Sequence, residues 1–356
     1  MGLFKRSKKQ EATRPRARRL DALDQPLSAP LQLITGKGGV GRTTVTIDLG
    51  RALAARGQRV LVVEVRDAES ELGEKSSYRA RSDSMLGRAI AQERGASPAY
   101  ELGPDPLRIE DNLWAAQLVA SVGHERFLSS IIPSERLVRA ALESKALARF
   151  LRSAPSMHEL GIYYHLNLLQ SDTRFDQVIV DLPASGHTLA LTQLPERMAR
   201  LLKRGSLVDA LREGVQKIAD PEYAALWVVT LPEELPVSEA LELERALRVD
   251  GVPPTGVIMN RALSRALTPE DHELIREALQ RQVVFDETAQ LDQGSNQGSR
   301  IIEECVDQLL RAALQEVELS ERLSPFSWRL TLPELSTAAG RVAHIDTAWL
   351  SHQRAP

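Results

Sequence analysis

Leu31-Gln-Leu-Ile-Thr35 runs straight into Gly36-Lys37-Gly38-Gly39-Val40-Gly41-Arg42-Thr43-Thr44, and no other stretch of the 356 residues restricts the fold as tightly. An apolar strand ends in four glycines spread over six positions, a choice that costs chain entropy unless something must approach the backbone closely. Val45, Leu49, Ala52 and Leu53 then recur at helical spacing, Gly57 is a stop, and Arg59–Val65 is a second apolar run. Strand, glycine turn, helix and a strand covered on both faces are the opening of a parallel sheet. Such a turn lets successive N–H groups face inward around phosphate oxygens, and the helix start adds positive potential. We therefore read Gly36, Gly38, Gly39, Val40, Gly41, Arg42, Thr43 and Thr44 as a phosphate cradle, with Thr43 placed to ligate Mg2+ in the pattern G-x-x-x-x-G-K-[ST]. The pattern asks for lysine where Arg42 stands. A planar fork does not replace a compact ammonium at a tight site, so phosphate binding through the amides is expected to survive better than catalysis.

Phe175-Asp-Gln-Val-Ile-Val180 is another apolar strand, ending in Asp181-Leu-Pro-Ala-Ser185-Gly186-His187-Thr188-Leu189, with Gln193-Leu-Pro195 beyond. Further strands are expected at Ala225–Thr230, Thr255–Asn260 and Leu330–Leu332, and helices at Ser238–Val249, Pro269–Gln280, Arg300–Leu319 and Thr337–Ser351, with a loop at 291–299. The alternation implies an α/β fold, a doubly wound and mostly parallel sheet over residues 31–350. Helical insertions are expected around 121–170 and 189–222.

Lys37, directly after the first loop glycine, makes this segment resemble the deviant Walker A signature KGGVGKT of the ArsA, MinD and ParA class of P-loop ATPases. The segment after Asp181 resembles switch II of the ArsA-like family, D-T-A-P-T-G-H-T-L…QLP, which includes arsenite-pump ATPases and tail-anchored-protein targeting factors. Gly186, His187, Thr188 and Leu189 match position by position, while Leu182, Pro183 and Ala184 depart from it. The resemblance implies ATP or ADP with Mg2+ as ligands, Asp181 holding Mg2+ through water, and Lys37 reaching a partner's nucleotide across a dimer interface. It also implies Ser185 to Thr188 as switch II and Asn260, ending Gly256-Val-Ile-Met-Asn260, as an adenine contact. Asn112-Leu113 opening a strand and Pro155–Leu160 opening a helix are softer echoes.

Against the family, a gapless count from Gly36 puts the switch I aspartate on Arg66, with Asp67 one place late. Either the loop slips and Asp67 serves, or the water-orienting carboxylate is absent. The run E-I-D-P after Asn112 reads Gln117-Leu118-Val119-Ala120 here. With Cys305 the only cysteine, neither an arsenite triad nor a zinc-bridged dimer can be built. The span after Thr188 holds a single methionine, Met198, and a stripe of Leu201, Leu202, Val208, Leu211 and Val215 that reads as core rather than as a client groove.

Charge is uneven. Residues 1–19 carry eight lysines and arginines against Glu11 alone, although the whole chain is at −3. Residues 1–30 are read as a mostly disordered basic tail, either a solubilising segment or a tether to a membrane surface, nucleic acid or an acidic protein. No apolar run approaches the length of a membrane span, and a cytoplasmic setting, peripheral to a membrane if the tail binds one, is expected. The leading reading is an ATP-binding ArsA-like protein with a degenerate site, a dimeric nucleotide switch or assembly factor working as a homodimer or beside an intact homologue. A competent ATPase using Arg42 and Asp67, and a non-hydrolysing scaffold held by its tail, are the rivals.

Overall fold

The computed structural model describes residues 26–66, 82–93, 100–144, 157–183, 216–263, 308, 311–334 and 345. Outside them lie the basic tail to residue 25, Asp67, the switch II match Ser185 to Thr188 and the span from 189 to 215. So do the helix at 269–280, the loop at 291–299, Cys305 and all but one residue of the final helix.

Among the described residues ten strands form two sheets: β1 (Leu31–Gly36), β2 (Val60–Val65), β3 (Ser82–Asp83), β4 (Glu101–Leu102), β5 (Leu107–Glu110), β6 (Leu113–Leu118), β7 (Gln177–Asp181), β8 (Ala224–Thr230), β9 (Gly256–Ala262) and β10 (Trp328–Pro333). Eight of them lie in the order β10-β9-β8-β1-β7-β2-β6-β5, parallel except for β5 against β6, while β3 and β4 pair separately. Strand β1 is central and the chain leaves it in both directions, to β7 and β2 on one side and to β8, β9 and β10 on the other. In a doubly wound sheet the crevice at such a switch point, beyond the carboxyl ends of the strands, is where ligands bind.

The helices are α1 (Arg42–Ala55), α2 (Met85–Glu93), α3 (Ala120–Ile131), α4 (Glu135–Glu143), α5 (Met157–Gln170) and α6 (Glu234–Val249), followed by a helix over residues 311–322. One sheet face, with Ile34, Val62, Ala115, Ile179 and Trp227, packs on Val45, Leu49 and Leu53 of α1 and Leu86 and Ile90 of α2. The other, with Leu33, Val63, Leu118, Val180 and Val228, packs on Leu166 and Leu169 of α5, Val237 and Leu243 of α6, and Leu319, Leu323 and Phe326. Helices α3, α4 and α5 lie between β6 and β7 in the chain. Gly123 of α3 and Gly161 of α5 meet backbone to backbone, so that a Cβ on either would strike the other helix.

Several expectations shift. Residues 26–30, counted with the tail, are packed: Leu27 is wholly buried, and the Pro26 and Ala29 carbonyls accept the side-chain amide of Gln32 at 3.1 and 3.0 Å. Gln177 likewise donates to Leu27 at 2.8 Å. Two buried glutamines therefore fasten a stretch that has no periodicity of its own. Helix α6 begins at Glu234, a turn before the expected Ser238, because Pro236 sits in the first turn, where a missing N–H costs nothing. Strand β5 joins β6 through Asp111-Asn112, with Asn112 at φ 58°, a left-handed turn position that asparagine tolerates.

His165 of α5 is 1% exposed, and its Nδ1 accepts the Val119 N–H at 2.9 Å. Burial pushes this imidazole down to about 4, against the opposing pull of Asp105 and the bond to Pro104. The folded chain thus favours the neutral ring. Its stabilisation is complete above the unfolded value near 6.5 and is lost as pH falls toward 4. Urea unfolding is expected to show about 2 kcal/mol less stability at pH 5 than at pH 7.5, a dependence that His165→Gln flattens.

Candidate functional site

The glycine loop leaves β1 at its carboxyl end. Gly36 has φ 149°, and a Cβ there would collide with the Val229 carbonyl of β8. Gly39 and Gly41 lie at φ 89° and 88°, conformations that L side chains rarely adopt. A Cβ at Gly38 or Gly39 would meet nothing within 4 Å, so the rim of the loop is open while its base is pressed onto the sheet. Gly41 starts α1 in a left-handed conformation, without a side-chain cap and without an acidic residue in the first turn. The first N–H groups of α1 are thus left to an anionic ligand. Val40 turns into the core at 2% exposure, and Thr44 sits half-buried in the first turn.

The neighbouring strand β7 brings Asp181 to the start of α1. Thr43 Oγ1 donates to Asp181 Oδ2 at 2.6 Å. Arg42 Nη1 lies 3.9 Å from Asp181 Oδ1 and donates to the Leu182 carbonyl. Burial pushes the Asp181 carboxyl above the ordinary aspartate range, while the Thr43 hydrogen bond and the Arg42 charge pull the other way. Its Oδ1 is buried with no hydrogen-bond partner among the described residues. A hydroxyl and a carboxylate with a spare buried lone pair are hard oxygen donors of the kind Mg2+ takes, so the residues fit that ion.

Lys37 is half-exposed on the rim. It is bonded within its own chain to Glu239 of α6, Nζ to Oε1 at 2.7 Å, and this bond holds its amine above the usual lysine range, with Glu242 adding to the effect. Asn260, 7% exposed at the end of β9, donates from Nδ2 to the Val40 carbonyl at 2.9 Å. Here it braces the loop. Arg66, at the position of the switch I aspartate in the gapless count, is 4% exposed and its backbone N–H bonds to Leu118.

Sequence reasoning passed over Glu64. It interrupts the apolar strand VLVVEV of β2, lies in register with Asp181 on one side and Gln117 on the other, and is 9% exposed. Its Oε1 accepts the Gln117 amide at 2.7 Å and its Oε2 the Leu86 N–H at 2.8 Å. The signal was a lone acid in a strand buried on both faces, which needs partners. Among the described residues no group of three His, Cys, Asp or Glu could hold a metal, and no helix is long and apolar enough to cross a membrane.

A central parallel strand that turns through a glycine loop into an uncapped helix, with the adjoining strand end bonded to that helix's first hydroxyl, defines the P-loop NTPase class. Residues 31–213 match the model of the ArsA family, described as anion-transporting ATPases, and the chain belongs to that family. Among proteins it is similar to, ATPase BagA of Mycobacterium tuberculosis is 29% identical over 247 residues, covering 68% of this chain and 67% of that protein. The arsenical pump-driving ATPase of Escherichia coli is 26% identical over 263 residues, which is 68% of this chain and 41% of the relative. ATPase GET3B of Arabidopsis thaliana is 25% identical over 268 residues, 65% and 64% of the two chains.

Proposed function

We propose that this chain binds ATP or ADP with Mg2+ at the Gly36–Thr44 loop and works as a nucleotide-dependent dimeric switch or assembly factor whose own site hydrolyses slowly. The observation that carries the reading is the direction of Arg42. Its guanidinium is spent on the Leu182 carbonyl and on Asp181, where the family's pattern has an ammonium for the transferred phosphate. The buried Arg66 at the switch I position supports the same conclusion. Thr43 and Asp181 would hold Mg2+, whose chemistry is to draw charge from the phosphate oxygens as the bond to the leaving group breaks. The loop amides orient the phosphates, Val40 shields the cradle floor, and Asn260 keeps the Val40 carbonyl turned away from the anion.

Lys37 is available to a second subunit at small cost. The lysine end of its ion pair with Glu239 is open to solvent, and pairs open to solvent exchange readily. A partner carrying lysine at the position of Arg42 would receive that charge at a competent site, which makes an intact homologue the favoured mate.

Calorimetry with Mg·ATP and Mg·ADP, and light scattering of the chain alone and mixed with such a homologue, test this reading. Nucleotide heat, nucleotide-dependent pairing and turnover in the mixture that falls with Lys37→Ala are expected. Fast hydrolysis by the lone chain, indifferent to Lys37→Ala, overturns it.

A further inference from the structure

Two helices on the same sheet face begin in the same way. At α1, the hydroxyl of Thr43 donates to the carboxylate that ends β7. At α2, Ser84 stands just before the first turn; its Oγ accepts the Gly87 N–H at 2.7 Å and its side chain is also bonded to the Glu64 carboxylate on β2. Glu64 Oε2 takes the Leu86 N–H of the same turn. The two carboxylates are direct register partners on adjacent parallel strands, Glu64 opposite Asp181. Gly87 closes the arrangement from above, since a Cβ there would meet the Tyr100 carbonyl and come within 2.8 Å of Ser84 Oγ. Leu86 and Ile90 seat α2 in the same core as α1.

We propose that Glu64 is a positioning residue that couples the nucleotide site to α2. It rests on the reading of Thr43 and Asp181 as the nucleotide end of the site. A ligand that takes Thr43 and Asp181 away from each other changes the charge and the position of the group beside Glu64. Glu64 has no slack to absorb that change, because both its oxygens are bonded, to Gln117 on one strand and to the start of α2. The α2 N-terminus therefore responds, and it ends at the surface, where Met85 is 65% exposed.

The test is hydrogen exchange of the full chain, with and without Mg·ATP, beside calorimetry on the same samples. In the native protein, exchange of the Leu86 and Gly87 amides is expected to change about tenfold on nucleotide binding. Glu64→Gln must point an amide donor at either Leu86 N–H or Gln117, and is expected to abolish that change while nucleotide heat persists. The paired change Glu64→Gln with Gln117→Glu restores the bond between the two side chains with donor and acceptor exchanged and leaves the residue 64 oxygen to accept the Leu86 N–H, so it should recover the coupling, and its thermal midpoint controls for folding. Absence of nucleotide heat removes the binding reading and this inference together. Heat without any change at α2 in the native chain, a tenfold change retained in Glu64→Gln, or no recovery in a folded paired variant overturns this inference alone.

Discussion

Arg42→Lys is expected to raise steady-state ATP turnover by about 10²–10³-fold, the worth of one preorganised charge aimed at the reacting phosphate. Arg42 is the first residue of α1, so its Cα is fixed by the loop, and what the substitution changes is where the charge goes. One guanidinium nitrogen, Nη1, donates to the Leu182 carbonyl and lies 3.9 Å from Asp181 Oδ1, which draws the side chain down along β7. An ammonium on a shorter head cannot keep both contacts, and the lowest-energy direction left to it is the mouth of the loop. The cost in stability is modest, about 1 kcal/mol for the hydrogen bond to Leu182. Turnover is measured with a coupled phosphate assay, the thermal midpoint of each variant being recorded beside it. A folded Arg42→Lys protein no faster than the native chain would assign the slow site to Arg66 and the Gln117 run instead, and would remove Arg42 from the explanation.

How far the sequence spoke depended on whether a feature was local. The glycine loop, β1, α1, β2 and β7 were legible because glycine spacing, apolar runs and helical periodicity are short-range signals, and each was found within a residue or two of its expected bounds. The end of β7 at Asp181 was legible for the same reason. What could not be read were partners far along the chain. Lys37 finds Glu239, Asn260 finds Val40, and Gln177 finds Leu27, pairs that only the closed sheet brings together. Asn260 shows the consequence: its place at the end of a strand was visible, while the bond of its amide nitrogen to the loop was not. The edge strands β4 and β5 escaped because two to four residues carry too little pattern to stand out. Glu64 is the instructive case. It was visible as an acid in an apolar strand, but its meaning depended on Ser84 and Gln117, which lie 20 and 53 positions away in sequence and adjacent in space.

Gly36→Ala is expected to cost about 2–5 kcal/mol of stability and to weaken nucleotide binding by about 10²-fold or more. Two penalties combine at this residue. Its φ of 149° lies where a side chain is strained, costing about 1–2 kcal/mol. The new methyl would also run into the Val229 carbonyl, and that carbonyl belongs to β8, paired directly with β1 at this very register. A flexible neighbour could step aside; a central parallel strand with a bonded carbonyl can yield only by opening the ladder, which adds a further 1–3 kcal/mol of overpacking. The loop would respond by lifting off the sheet. Because Asn260 braces Val40 from β9, on the far side of β8, the displacement would pull that bond apart and scatter the amides that face the phosphates. Gly38→Ala is the matched control: a Cβ there meets nothing within 4 Å. Its stability should therefore stay within about 1 kcal/mol of the native chain. Urea titration and calorimetry with Mg·ADP on both variants read the two effects separately. Equal losses at Gly36 and Gly38 would mean that the loop's grip depends on backbone flexibility alone and not on its seat against β8.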